Sequence, residues 1–458
     1  MKQNKTSIFS TSNSLIIPKS ITLPKSVVNN LHNAIATNKP KFHLHIPLAC
    51  HFLNLIASRR FKYPEFNECF DGFVPLSSKI LEKHFYGYRK YFNYFIENGI
   101  IEMKNYSTYH NKSKSYRFIN DSKFESTEFE VIDVTSLNKL KNINVVEYFN
   151  GRSIKCSHLT KWFYQGLEID YDAAVQTANK EPNILKRQSY LLAIEKIKNK
   201  EFYFSRKKLS DDRLHTNLTN LSKKIRPFLR FNTEFFFNID LKASQPYFLV
   251  VFIEEMLGNI GTTTRKPTGR RTLMFENVKD LIHKDGFQEE YQTIKQWILK
   301  DDFYTRMADI WFGNRETPLT RNEWKKNKVR RVTYGSKRDL VKKLILRLFY
   351  IDTASAAYQN EDFKVFESRF PHFSEFLKKL KKNDFTDLSK EMQNIEAFCI
   401  LEIVTPRLSK MFPKMPLFTI HDSIMTTVEW AKKTDLAVLI QKIMLEANGV
   451  QPQVNIEV

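Results

Sequence analysis

Two acids in this chain stand where an apolar run gives way to a polar turn. Asp240 closes Phe235-Phe236-Phe237-Asn238-Ile239 and opens Leu241-Lys242-Ala243-Ser244-Gln245-Pro246, after which a new apolar run, Tyr247 to Met256, begins. Asp422 follows His421 inside Pro416-Leu417-Phe418-Thr419-Ile420-His421-Asp422-Ser423-Ile424-Met425-Thr426-Thr427-Val428. A carboxylate at the mouth of a buried strand is held rigidly by the sheet and still faces a cleft. Two such carboxylates can share a pair of divalent ions about 3.5–4 Å apart, which clamp the attacking and departing oxygens of an in-line phosphoryl transfer. Mg²⁺, with Mn²⁺ as a substitute, suits a site with only two protein acids, because it completes its shell with water and substrate phosphates. An acid in either place also reads as an ordinary strand end or helix cap.

A third group lies between them: Arg321-Asn322-Glu323-Trp324-Lys325-Lys326-Asn327-Lys328-Val329-Arg330-Arg331-Val332-Thr333-Tyr334-Gly335. Read as a helix, it sets Arg321 and Lys325 one turn apart on one face. Stacked cations of that kind can hold a triphosphate. Tyr334 then lies where a base and sugar can stack on it, and Gly335 lets another backbone or base come close. The same pattern also describes a solvated basic helix.

The elements that must position these residues follow from periodicity. A buried strand ends on Asp240 and turns into a helix. Helical patterns run from about 275 to 311, then over 340–350, 363–370 and 373–381. Gln393-Asn394-Ile395-Glu396-Ala397 starts a further apolar helix reaching about Leu408, on which Gln393 and Glu396 share a face that meets the cleft or solvent. His421-Asp422 is the tip of a hairpin between two apolar strands. A helix over 431–448 and a strand over 453–458 close the chain.

Composition narrows the partner. The formal charge is +22 over 458 residues, which favours a polyanion, since Lys and Arg gain by displacing counterions from phosphates. Cys50, Cys69, Cys156 and Cys399 form no Cys-x-x-Cys pair and imply neither a zinc site nor a disulfide framework. No run of about 18 apolar residues suggests a membrane span, and the beginning of the chain lacks the apolar core of a secretory signal. The expectation is a cytoplasmic protein.

The first half reads as a series of modules. Residues 1–40 are rich in Ser, Asn, Lys and Thr with spaced prolines, and read as a flexible basic arm. Residues 41–120 give three helical patterns, the third ending at Asn98-Gly99, then two alternating strands around a polar loop. Three helices followed by a basic hairpin resembles a winged-helix module. That resemblance implies that the third helix approaches a DNA groove while Lys112 and Lys114 meet phosphates; a winged helix used for protein contacts has the same pattern. Residues 121–210 read as a helical connector or thumb-like segment. Arg213-Leu214-His215-Thr216 is polar enough to contact a sugar-phosphate backbone.

The order strand-Asp, Arg-x-x-x-Lys…Tyr-Gly, His-Asp-Ser resembles motifs A, B and C of the family A DNA polymerases and single-subunit phage-type RNA polymerases. Arg213-Leu214-His215-Thr216 is similar to a stretch those DNA polymerases place before motif A. The resemblance covers about 211–458 and implies an α+β fold: a right-hand palm with an antiparallel sheet, helical fingers over about 255–410, and a small thumb-like segment, preceded by the winged helix. It implies that Asp240, Asp422 and the Leu241 carbonyl bind two Mg²⁺ ions. Arg321 with Lys325 or Lys326 would hold the triphosphate, Tyr334 would pack on the nucleotide, and Gln245 would sort ribose from deoxyribose. Arg213, His215, Thr216, Gly335, Gln393 and His421 would face template and primer. The family has its lysine eight residues before the aromatic; Lys326 keeps that spacing, whereas Lys325 keeps the spacing from Arg321. His-Asp-Ser resembles the RNA enzymes, and a bulky Gln245 the DNA enzymes. The implied activity is template-directed nucleotidyl transfer on DNA with nucleoside triphosphates, DNA synthesis being favoured. RNA synthesis or priming, untemplated addition, and a non-enzymatic DNA-binding initiator or repressor remain open, as does RNA as a partner.

Overall fold

The computed structural model describes residues 20–62, 71–85, 87–105, 113–119, 128–134, 136–137, 156–206, 211–260, 268–313, 319–325, 328–354 and 361–457. They form a mixed α+β structure with antiparallel sheets, divided into two compact units. The chain alternates between them: 156–166, 206–214 and 230–458 make up the second unit and the rest belongs to the first. No helix among the described residues is long and apolar enough to cross a membrane.

In the first unit β1 (Ser20–Pro24) leads directly into α1 (Lys25–Thr37). This corrects the reading of 20–40 as part of a loose arm. Ile21, Leu23, Val27, Val28 and Leu31 are buried in the unit's core, and β1 pairs antiparallel with β5 (Phe129–Asp133), Ser20 opposite Asp133. A strand whose partner lies so far along the chain carries no local signal beyond its own few residues. Residues 1–19 lie outside the described residues.

Next come α2 (Ile46–Lys62), β2 (Val74–Pro75), α3 (Ser78–His84), α4 (Tyr88–Glu97), β3 (Ile101–Lys104) and β4 (Ser115–Phe118). The three strands form one sheet in the order β2-β4-β3. Helix α4 is amphipathic: Tyr88, Tyr91, Phe92, Tyr94 and Phe95 are buried, while Arg89, Lys90, Asn93 and Glu97 are exposed. Such spacing puts the second set on one helical face. The segment read as a connector, 121–210, does not hold together as one module. Strand β5 and the helices Tyr171–Asn179 and Ile184–Lys198 lie in the first unit, whereas 156–166 lies in the second.

The second unit is built on a sheet in the order β10-β11-β7-β6, with β12 also on β7: β6 (Leu229–Phe231), β7 (Glu234–Leu241), β10 (Phe418–Ile420), β11 (Ser423–Thr427) and β12 (Val454–Glu457), while β8 (Thr320–Lys325) and β9 (Lys328–Thr333) form a separate hairpin. Its helices are α5 (Ser157–Gly166), α6 (Ser244–Met256), α7 (Gly269–Val278), α8 (Asp285–Lys300), α9 (Phe303–Phe312), α10 (Lys337–Tyr350), α11 (Glu361–Arg369), α12 (Pro371–Leu380), α13 (Asp387–Phe398), α14 (Thr405–Met411), α15 (Val428–Thr434) and α16 (Leu436–Asn448). A π-helical turn, Cys399–Val404, joins α13 to α14.

Edge-to-face aromatic contacts fasten α5 and β7 to β10: Phe418 meets Phe163 and Phe236, each at 5.2 Å between ring centroids, a favoured arrangement of ring quadrupoles. Helix α6 is buried from Pro246 to Glu254. Its Tyr247 hydroxyl donates to the Val450 carbonyl at 3.0 Å and accepts from Asn448 at 3.1 Å. The segment after Asp240 is thereby tied to the end of the chain, whose strand β12 flanks Asp240 directly.

Candidate active site

Asp240 lies near the end of β7, the central strand. Its register partner on β11 is Ser423 and its partner on β12 is Asn455. Asp422 immediately precedes Ser423 in the turn joining β10 to β11, so the sheet itself brings the two acids side by side. Both are partly exposed. The turn is shaped for this placement. His421 has φ +56°, and Ser423 is buried with its hydroxyl donating to the Ile420 carbonyl at 3.1 Å. Ala243, between Asp240 and α6, also has a left-handed backbone, at φ +46°. Each such residue costs roughly 1–2 kcal/mol, and strain of this kind persists where surrounding structure enforces it. Here it flanks both acids.

Four side chains from distant segments form a hydrogen-bonded chain beside them. Gln245, in the first turn of α6, donates from Nε2 to Glu396 Oε2 on α13 at 2.8 Å. Its amide oxygen accepts from the hydroxyl of Tyr350 at the end of α10. Arg213 donates from Nη2 to the same Glu396 oxygen at 2.6 Å. Glu396 is 0 % exposed. Burial pushes its carboxyl up to about 7; Arg213 pulls it back without cancelling that shift, and Asp422 adds to it. Arg213 is held fully charged by Glu396 and then by Asp422, against the cost of its own burial. Tyr350 is raised by burial, with Asp422 again among the charges it senses. Asp422 thus shares one electrostatic neighbourhood with Arg213, Glu396 and Tyr350.

Helix α10 supplies cations to the same neighbourhood. Arg338 and Lys342 are exposed, one turn apart. Arg338 pairs with Asp302 at 2.8 Å. Both cations lie over the Tyr304 ring, at 5.4 and 6.0 Å. Burial raises Tyr304, Arg338 opposes that shift, and Asp422 reinforces it.

The segment expected to be the basic helix is instead the β8–β9 hairpin, with Arg321 opposite Val332 and Glu323 opposite Arg330. Alternation explains the difference. Partly buried Arg321 and Glu323 alternate with exposed Asn322, and β-branched residues are frequent in β9. Arg321 is engaged by Asp362 at 2.6 Å; Glu323 binds Arg347 at 2.8 Å and accepts from the Tyr334 hydroxyl. The helical stacking of Arg321 over Lys325 is therefore absent. Lys325 is the last residue of β8, and Lys326 and Lys112 lie outside the described residues. Gly335 is exposed and precedes α10.

Sequence reading missed Arg338, Lys342 and Tyr350, although a signal was present. Lys342 follows Arg338 by four residues and precedes Tyr350 by eight. Both spacings that conflict around Lys325 and Lys326 are met together here. The residue after Tyr350 is Ile351, not glycine.

Of the remaining candidates, Gln393 lies one turn before Glu396 on α13 and is partly buried. His215 and Thr216 form a short strand with Phe204–Ser205 in the first unit, whereas Arg213 belongs to the second. Leu241 is buried on β7 beside Asp240.

The donor set fits Mg²⁺ chemistry. Asp240 and Asp422 offer carboxylate oxygens on adjoining backbone segments, and among the described residues no cluster of three or more His, Cys, Asp or Glu forms a closed all-protein cage. A hard cation that keeps several ligand positions for water and phosphate requires no more.

No protein-family model matches the chain, and no curated protein sequence matches it significantly. Solved structures do match. One is the POL domain of Pol1 from M. smegmatis in complex with DNA primer-template and dNTP, at a TM-score of 0.38 and 12 % identity over 60 % of this chain. The chain spans 51 % of that domain's length. A likeness so loose transfers neither fold nor activity.

Proposed function

We propose that the chain is a template-directed nucleic-acid polymerase that acts on DNA and incorporates deoxyribonucleotides in preference to ribonucleotides. The observation that carries this reading is the register pairing of Asp240 with Ser423, which sets Asp240 beside Asp422, within the same electrostatic neighbourhood as the cations of α10.

Asp240 and Asp422, with the Leu241 carbonyl, would hold two Mg²⁺ ions. When bound, such ions stabilise charge on the attacking and leaving oxygens of phosphoryl transfer. Arg338 and Lys342 bind and orient the triphosphate, a role suited to two exposed cations one turn apart. Tyr350 packs on the nucleotide. Gln245 meets the sugar at the 2′ position, where its bulk disfavours a hydroxyl. The Ser423 hydroxyl is occupied by the Ile420 carbonyl, so the resemblance of His-Asp-Ser to RNA enzymes says more about holding the turn than about sugar choice. In the first unit, the element order helix–strand–helix–helix–strand–strand supports a winged-helix module, with the exposed face of α4 meeting duplex DNA.

The test is extension of a primed template with Mg²⁺, with deoxyribonucleotides and ribonucleotides in parallel, for wild type and Asp422→Ala. Template-dependent extension that falls about a thousandfold or more in the variant supports the reading. Extension retained by a folded Asp422→Ala protein overturns it.

A further inference from the structure

Glu396 is the one fully buried carboxylate of the hydrogen-bonded chain described above, and it makes contacts of two kinds. It is the ionic partner of Arg213 and the acceptor for the Gln245 amide. Both bonds end on Oε2, while Oε1 has no hydrogen-bond partner among the described residues. A carboxylate accepts only, so it faces the NH₂ side of the Gln245 amide. The amide oxygen is then turned to the Tyr350 hydroxyl, which donates to it. The direction of the whole chain, Tyr350 to Gln245 to Glu396, is set at Glu396.

The ionic contact has a separate consequence. The Arg213 guanidinium senses Glu396 first and Asp422 as well. Deprived of Glu396, a buried guanidinium turns to the nearest remaining carboxylate, because an uncompensated buried charge is strongly unfavourable. Asp422 is the other carboxylate whose charge the guanidinium senses.

We propose that Glu396 is a positioning residue of the nucleotide site: its carboxylate fixes the orientation of the Gln245 amide against the sugar and keeps Arg213 from neutralising Asp422. The inference rests on the polymerase reading and deepens it by naming what sets sugar selection and what keeps a metal-binding acid available. The two functions separate by substitution. Glu396→Gln keeps an acceptor for Gln245 and loses the charge that holds Arg213. Glu396→Ala loses both.

The experiment measures single-nucleotide incorporation on a primed template at about pH 8, where Glu396 is ionised, with deoxyribonucleotide and ribonucleotide and with Mg²⁺ varied. Its variants are Glu396→Gln, Glu396→Ala and Arg213→Ala/Glu396→Gln. Glu396→Gln is expected to keep the sugar discrimination ratio within about twofold while needing roughly tenfold more Mg²⁺, a shift the size of one hydrogen bond to a charged group. Adding Arg213→Ala is expected to restore the Mg²⁺ requirement. Glu396→Ala is expected to lower the discrimination ratio by about tenfold or more. A discrimination ratio and Mg²⁺ requirement unchanged in Glu396→Gln and Glu396→Ala, with only thermal stability lowered, overturn the inference and leave the polymerase reading standing. Should Glu396→Ala not fold, an unchanged Mg²⁺ requirement in Glu396→Gln suffices to overturn it. Wild type that incorporates neither nucleotide brings down both.

Discussion

The hydroxyl of Tyr350, at the last residue of α10, donates to the side-chain oxygen of Gln245, in the first turn of α6, across 105 positions of sequence. That bond joins the helix carrying Arg338 and Lys342 to the segment that carries Asp240. The proposed assignment of the triphosphate to α10 rests on this tie. Helix α10 is tied to α6 through Gln245; in the β8–β9 hairpin, Arg321 is engaged by Asp362 on α11 and Glu323 by Arg347 on α10 itself.

Substitutions in these two segments are predicted to diverge. Arg338→Ala and Lys342→Ala should each reduce kcat/KM for the incoming nucleotide by about 10–100-fold, the range of one or two charge-assisted hydrogen bonds, with little change in unfolding midpoint. Arg321→Ala should lower stability by about 1–3 kcal/mol, because the ion pair with Asp362 is lost at a partly buried position, and leave kcat/KM within about threefold. Steady-state kinetics and denaturant unfolding on the same preparations separate the two. Nucleotide affinity lost in Arg321→Ala but kept in Arg338→Ala would return the triphosphate site to the hairpin.

Glu396 should leave a signature in the pH dependence of stability. Unfolded, its carboxyl titrates at the ordinary carboxylate value; folded, burial holds it near 7. Between those values the native state keeps a proton that the unfolded chain has released. Its contribution is therefore complete at the acid end, declines as pH rises through this window and is lost above about 7. The decline amounts to about 3 kcal/mol. Urea unfolding at intervals from pH 4.5 to 8 should show this fall in wild type relative to Glu396→Gln. Parallel curves for the two proteins would contradict the assignment.

Lys381 gives a slope of the opposite sign. Its ammonium is buried against the carbonyls of Leu348 and Ile351, at 2.8 and 3.1 Å, where it caps the end of α10 next to Tyr350. Burial lowers its pKa to about 8. Above that value the native state has lost a proton that the unfolded chain retains, so stability rises with pH between about 8 and the ordinary lysine value, and the gain is lost as pH falls through 8. Wild type should gain about 3 kcal/mol over that range relative to Lys381→Met. Chemical denaturation at pH 7.5, 9 and 10 measures it.

In the first unit, Arg89 and Asn93 lie on the exposed face of α4. Replacing both with alanine should weaken duplex DNA binding by roughly tenfold or more. It should also reduce the dependence of log affinity on log salt by about one. Fluorescence anisotropy across a salt series reads both quantities. An unchanged affinity would assign that face to something other than DNA.

Much of this site was legible from residue type and local pattern. The apolar run into Asp240 announced a strand, because such a run is written in consecutive residues, although only Ile239 and Leu241 of it are buried and Phe235 stands exposed. His421-Asp422 between two apolar segments announced a hairpin tip for the same reason. The helix read over 340–350 was visible through its apolar spacing, its observed start lying at Lys337, and the excess of Lys and Arg pointed to a polyanion without any fold. Tertiary structure decided which cations belong to the acids. An Arg-x-x-x-Lys spacing occurs at both 321–325 and 338–342, and only packing made the first a hairpin held by Asp362 and the second a helix joined to Gln245. It also decided that 20–37 belongs to a folded core, since β1 draws its stability from β5, more than a hundred residues away. Glu396 shows the limit most clearly: a carboxylate midway along an apolar helix has an ordinary local pattern, and its burial, its bond to Gln245 and its hold on Arg213 all come from partners that folding brings from distant parts of the chain.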